Sequence, residues 1–232
     1  MKLLEVRGLS VFYGDLQALF DVSVEVEAAG TVALIGANGA GKTTFLKSVA
    51  GLLASKRGEI VFAGHAIGGL PAEQIAGLGL ALVPEGRLLF QNLTIEENLI
   101  IGGYSGRKGY WTLARIYELF PVLAERKQAM PAILSGGQQQ MVAIGRALMA
   151  NPKLLLADEI SQGLAPVVID QIYRSFPTIR AEGTSIILVE QEVKRAAAAS
   201  DHTYCLLKGR VTLEGASRGL SFDALSRAYF GS

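Results

Sequence analysis

Residues 31–43 constrain the chain most. Thr31-Val32-Ala33-Leu34-Ile35 is a short apolar run, as expected of a strand covered on both faces. It runs straight into Gly36-Ala37-Asn38-Gly39-Ala40-Gly41-Lys42-Thr43, and helical sequence follows from about Lys42 to Gly51. A G-x-x-x-x-G-K-[ST] turn between a buried strand and a helix is a phosphate cradle. Glycines let several backbone N–H groups converge on one anion, and the helix start adds its positive dipole end. In such a cradle Lys42 reaches the β- and γ-phosphates of a nucleotide, and the Thr43 hydroxyl ligates Mg²⁺. A turn that binds nothing is the bland reading, and the flanking strand and helix argue against it. The loop alone does not separate an ATPase from a GTPase or a kinase.

Leu154-Leu155-Leu156-Ala157 is another apolar run, and it ends in Asp158-Glu159. Neighbouring strand residues point to opposite faces, so the two acids are expected to differ in role. Asp158 would hold Mg²⁺ beside the phosphate loop, and Glu159 would polarise an attacking water. By themselves these are plain solvated acids at a strand end; the phosphate loop tips the reading.

Leu134-Ser135-Gly136-Gly137-Gln138-Gln139-Gln140 reads as a second helix start, with Ser135 as its cap. A second helix end suited to an anion is one more than a single nucleotide needs. The string resembles the L-S-G-G-Q signature of ATP-binding cassette (ABC) ATPases, and the likeness extends from Tyr13 to the C-terminal hairpin. The resemblance implies an ATP hydrolase with two cassettes paired head to tail. In that pairing Ser135, Gly137 and Gln138 contact the ATP held by the partner's loop. It further implies that Tyr13 stacks on adenine and that Gly36, Asn38, Gly39, Ala40, Gly41, Lys42, Thr43 and Thr44 hold the nucleotide. Bare of the resemblance, Tyr13 is equally a half-buried strand tyrosine.

Glu85 stands where the general pattern has Gln, as a nucleotide and metal contact, and Gln191 stands where it has His. Ile160 replaces a usual Pro; Ala157 and Gln162 are also off-pattern. Val83-Pro84-Glu85-Gly86-Arg87, Val189-Glu190-Gln191, Gly163-Leu164-Ala165-Pro166 and Ala228-Tyr229-Phe230-Gly231 resemble the smaller ATP-binding subunit of branched-chain amino acid importers and of related amide or urea importers. That resemblance implies permease subunits as partners, a second and different cassette, an indirect link to a periplasmic or extracellular solute-binding protein, and a peripheral place on the cytoplasmic face of the inner membrane. Catalysis would rest on Glu159, Gln191 and Lys42, with ATP and Mg²⁺ bound.

The remaining sequence fits an α/β class: a P-loop NTPase core with an antiparallel β part and an inserted helical part. Leu3 to Tyr13 and Ala18 to Val26 alternate like antiparallel strands, with a turn at Gly14-Asp15. Further strands are expected at Gly58 to Phe62, Leu80 to Val83, Lys153 to Ala157, Thr184 to Val189, and in a hairpin of His202 to Leu207 and Arg210 to Leu213. Helices are expected at Gln138 to Met149, Val167 to Ala181 and Phe222 to Phe230, with a kink or early end at Pro177. Residues 1–94 and 128–232 would form the core and 95–127 the helical part, with Trp111, Leu113, Ile116 and Leu119 packing it. Phe90, Leu93 and Trp111 are candidates for an apolar groove, or equally for satellite core.

Composition excludes little but supports this. Half the residues are apolar, and 22 basic residues nearly balance 21 acidic ones, so no global field points to nucleic acid. A soluble ABC ATPase of repair or translation would usually carry two cassettes or a long coiled coil. A small-molecule kinase would leave the helix start at Ser135 without a task. The single cysteine, Cys205, lies in an apolar run and reads as a buried thiol in a reducing compartment. No stretch is long and apolar enough to span a bilayer, and the start lacks the apolar segment of a signal peptide.

Overall fold

The computed structural model describes residues 1–53 and 55–231, the side chains of 55 and 56 aside. Two long strands open it, β1 (Lys2–Tyr13) and β2 (Leu16–Glu27), paired antiparallel across the Gly14-Asp15 turn. Val22, Val24 and Val26 point inward while Asp21, Ser23 and Glu25 face out, the alternation of a sheet with one wet side. The next elements are β3 (Thr31–Ile35), α1 (Lys42–Val49), β4 (Ser55–Phe62), the short β5 (His65–Ala66), α2 (Ala72–Leu78) and β6 (Leu80–Val83). Then come α3 (Ile95–Gly102), α4 (Leu113–Leu119), α5 (Pro121–Glu125) and α6 (Gly136–Leu148). The chain closes with β7 (Leu154–Asp158), α7 (Pro166–Ala181), β8 (Ser185–Glu190), α8 (Val193–Ala198), β9 (His202–Leu207), β10 (Arg210–Ala216) and α9 (Phe222–Phe230).

The strands form two sheets. One is antiparallel, in the order β2-β1-β4-β5; the other runs β10-β9-β3-β8-β7-β6. In the second sheet β9, β3, β8, β7 and β6 are parallel, and β10 pairs antiparallel at the edge. Its central strands β3, β7 and β8 are buried along their whole length. Such strands need cover on both faces, and two apolar clusters supply it. One holds Phe45, Leu46 and Val49 of α1 with the inner faces of β1 and β2; the other holds the residues of α6 and α7 and the helical segment. Strand order places the C-terminal ends of β3, β7 and β8 side by side, where ligands of open α/β sheets bind.

The expected strands and helices are present within a few residues. Residues 95–127 are not one helical run: they break at 103–112 and again at Phe120. Trp111 and Ile116 are core residues, with Leu113 and Leu119 packed against them, so Trp111 does not belong to an apolar groove. Phe90 is exposed and Leu93 half-buried. The apolar stretch from Ile75 to Val83 divides at Gly79 into α2 and β6.

Pro177 does not end its helix early; α7 runs on to Ala181. The proline sits on the exposed face of the helix, while Phe176 and Ile179 anchor it on either side. Two helices escaped the sequence reading, α2 and α8, both short and poor in periodic apolar positions. Cys205 is buried, as expected, and its thiol is pushed up by that burial.

Helices α3 and α6 pack closely at Gly102, where an added Cβ would lie 1.9 Å from the Arg146 carbonyl oxygen. Backbone cannot yield as a side chain can. Gly102→Ala should therefore cost about 1–3 kcal/mol of stability, read as a lowered urea midpoint.

Candidate active site

The turn after β3, the start of α1, and residues just past β6 and β7 surround a pocket of about 640 Å³. Asn38, Gly39, Gly41, Lys42, Thr43 and Thr44 line it from the glycine-rich turn, with Glu85, Glu159 and Gln162 opposite. Leu16, Gln17, Ala18 and Phe20 of β2 close another side. The turn is held by local sterics: Gly41 has φ 106°, and a Cβ there would also meet Leu19 at 2.6 Å. A side chain at this position would be strained twice over.

Lys42 opens α1 and is 3% exposed. Its Nζ donates to the carbonyls of Gly36 (2.7 Å) and Ala37 (3.1 Å) and lies 3.1 Å from Glu159 Oε1. The Thr43 hydroxyl donates to Asp158 Oδ1 at 3.2 Å. Gln191 Nε2 donates to Glu159 Oε2 at 2.6 Å. Tyr13 is exposed and touches the site through its hydroxyl, 3.4 Å from the Thr44 hydroxyl. Ala40 is buried beneath the turn.

The two acids do not alternate as consecutive strand residues. Asp158 ends β7, whereas Glu159 lies past the strand in a left-handed conformation, φ 46°. Its N–H donates to the Val189 carbonyl at 3.0 Å, which pins the turn to β8. The two carboxylates therefore converge on neighbouring residues, Thr43 and Lys42, instead of facing opposite sides of the sheet.

Ser135 caps α6 as expected. Its hydroxyl accepts from the Gln138 N–H, and Gln138 Oε1 accepts from the Ser135 N–H, a reciprocal capping box. Ser135, Gly137 and Gln138 do not line the pocket around Lys42. Three residues beside the site were not singled out by the sequence reading. Glu190, 2% exposed, ends β8 and accepts from the Ser161 hydroxyl, the Ser161 N–H and the Tyr173 hydroxyl. The available signal was an acid closing the otherwise apolar run Ile186 to Val189.

A fold with this loop, these paired acids and a serine-capped helix between them defines a nucleotide-binding ATPase class. Residues 19–162 match the family model for the ABC transporter, and the chain belongs to that family as one of its ATP-binding, ATP-hydrolysing subunits. It is 44% identical to the high-affinity branched-chain amino acid transport ATP-binding protein BraG of Pseudomonas aeruginosa, over 99% of this chain and 100% of that one. A probable branched-chain amino acid transport ATP-binding protein, LivF, of Archaeoglobus fulgidus is 34% identical over 94% of each chain. Among solved structures, an ATP-binding subunit of an ABC transporter superposes with a TM-score of 0.83 at 32% identity, covering 98% of this chain and 99% of that one.

Two measurements follow from the geometry. Ser135→Ala removes one arm of the capping box and should cost about 1 kcal/mol, read in a denaturation curve. Burial, the largest influence on Asp158, pushes its carboxyl above the usual range, with the nearby Glu159 and Glu85 adding to it. A carboxyl raised in the folded state favours folding while protonated, and that contribution is lost as pH rises through the unfolded and then the folded pKa. Asp158→Asn should thus raise the thermal midpoint at pH 7 relative to wild type, with the difference shrinking in acid. An unchanged or lowered midpoint at pH 7 would contradict this.

Proposed function

We propose that this chain powers a branched-chain amino acid importer, binding ATP in the pocket around Lys42 and hydrolysing it with water oriented by Glu159. The observation that carries the reading is the convergence of Lys42, Thr43, Asp158, Glu159 and Gln191 at the ends of three adjacent strands. Support for the solute comes from 44% identity, over 99% of this chain, to BraG, whose name states branched-chain amino acid transport.

The residues present fit a nucleotide with Mg²⁺. The Thr43 hydroxyl and Asp158 carboxylate, already 3.2 Å apart, are the hard oxygen donors that Mg²⁺ takes, and Glu85 lies across the pocket as a further candidate. When bound, Mg²⁺ would neutralise charge on the phosphates. The backbone N–H groups of Asn38, Gly39, Ala40 and Gly41 and the start of α1 would face the phosphates, with Gly36 fixing the entry to the turn and Thr44 beside Thr43. Tyr13 would stack on the base.

Lys42 supplies a positive charge for the γ-phosphate, and its present pairing with Glu159 has a consequence. A phosphate that takes up the ammonium frees the Glu159 carboxylate to accept a proton from water. Gln191 then holds that carboxylate in place by its hydrogen bond. Gln191 is uncharged at every working pH, so it orients without titrating, unlike a histidine.

Ser135, Gly137 and Gln138 lie away from this pocket. We assign them to the nucleotide of a second cassette in a head-to-tail pair; structural neighbours at 23% and 24% identity include dimeric cassettes. Permease subunits would receive the closing motion, and a solute-binding protein would act at one remove. Among the described residues no helix is long and apolar enough to cross a membrane, which suits a peripheral subunit on the cytoplasmic face. Residues 1–94 and 128–232 form the proposed core and 95–127 the helical part.

Glu159→Gln should keep ATP binding while slowing hydrolysis by about 10²–10⁴-fold, the scale of general base catalysis. Phosphate release by that variant at the wild-type rate would remove Glu159 from its assigned role.

A further inference from the structure

Glu190 is a carboxylate placed where a charge is costly. It is 2% exposed, and burial, the largest influence, raises its carboxyl above the usual range. Three donors offset that cost. The Ser161 hydroxyl lies 2.6 Å from Oε2, and the Tyr173 hydroxyl and Ser161 N–H lie 3.0 and 3.3 Å from Oε1. Hydrogen bonds to an ionised acceptor are the strong ones, roughly twice a neutral pair.

These contacts join three parts of the chain. Glu190 ends β8, Ser161 lies in the turn after β7, and Tyr173 lies on α7. Tyr173 stacks on the buried Phe176 at 5.0 Å, so its hydroxyl is presented from a fixed ring. Glu159 sits two residues before Ser161, and Gln191, which donates to Glu159, directly follows Glu190. A backbone hydrogen bond from Glu159 to Val189 completes the bracket. Residues 159–161 and 189–191 are thus tied together by four hydrogen bonds, and the left-handed Glu159 is what they enclose.

We propose that Glu190 is a positioning residue: by clamping Ser161 and Tyr173 it fixes the turn that carries Glu159 and the backbone from which Gln191 reaches it. The proposal rests on the reading of Glu159 as the residue that orients water. Glu190 itself touches neither Lys42 nor Thr43 in this arrangement; it acts through Ser161 and Gln191. A carboxylate suits the task because its two oxygens accept all three donors at once. An amide keeps one such oxygen, and the Ser161 hydroxyl can turn to accept from its nitrogen. An alanine leaves the donors without an acceptor.

The test is a double-mutant cycle in the full-length protein, assembled with its transport complex and read by phosphate release. Glu190→Ala should lower kcat by about 10–100-fold, the scale of a small misplacement of a reacting group, with KM for ATP within about twofold. Glu190→Gln should recover kcat to within about fivefold of wild type. In a Glu159→Gln background Glu190→Ala should add less than about threefold, because the group it positions is already gone. Should Glu190→Ala fail to fold, Tyr173→Phe carries the same cycle, with a smaller expected loss of about 3–10-fold. An undiminished loss on top of Glu159→Gln, or full activity of both Glu190→Ala and Tyr173→Phe, would overturn the proposal. A wild-type rate for Glu159→Gln alone would instead overturn the reading on which it rests.

Discussion

The ion pair between Lys42 and Glu159, 3.1 Å apart with side chains 3% and 8% exposed, is the interaction to which the rest of the structure answers. Two charges removed from water need every remaining donor and acceptor satisfied. Lys42 donates to two carbonyls of its own turn, and Glu159 accepts from Gln191. The turn carbonyls follow β3, Glu159 follows β7 and Gln191 follows β8. The pair can exist only if β3, β7 and β8 finish at the same level, and the parallel register provides that: Ile35 lies opposite Glu190, and Asp158 opposite Val189.

The same register explains why the apolar strands are so uniform. Were Leu154 to Ala157 or Ile186 to Val189 to carry polar residues, the sheet could not accept cover on both faces, and the three ends would lose their common plane. The antiparallel sheet serves this arrangement from the other side. Leu19 of β2 packs against Gly41, and Gly209, at the β9–β10 turn, takes the Phe20 N–H on its carbonyl. The phosphate turn is thereby braced from both sheets.

Much of this is legible in the sequence, for identifiable reasons. The strands β3, β7 and β8 announce themselves because fully buried strands are continuous apolar runs, and the glycine-lysine turn because its chemistry tolerates few alternatives. The conformation of Glu159 was not legible. Strand alternation sends Asp158 and Glu159 to opposite faces, but the strand stops one residue earlier, and a hydrogen bond to Val189, far away in sequence, sets the direction instead. Pro177 misled in the opposite way. A local rule against proline weakens where the residue lies on a solvent-facing side of its helix, and tertiary packing puts Pro177 on that side.

Trp111 shows the same limit from the apolar side. An exposed groove and a core look alike in one dimension; the difference lies in the buried cluster that Trp111 shares with Leu99, Ile116 and residues of α6. Glu190 is the converse case, a charge that closes a visibly apolar run but whose burial depends on partners outside its own strand. Its partners come from the turn after β7 and from α7, 29 and 17 residues away in sequence. A carboxylate held this way transmits position more faithfully than an apolar contact would, because each of its hydrogen bonds has a preferred length and direction while packing tolerates sliding. Where a reacting group must be held by a short turn in a left-handed conformation, such directional anchors are what keep the turn from relaxing.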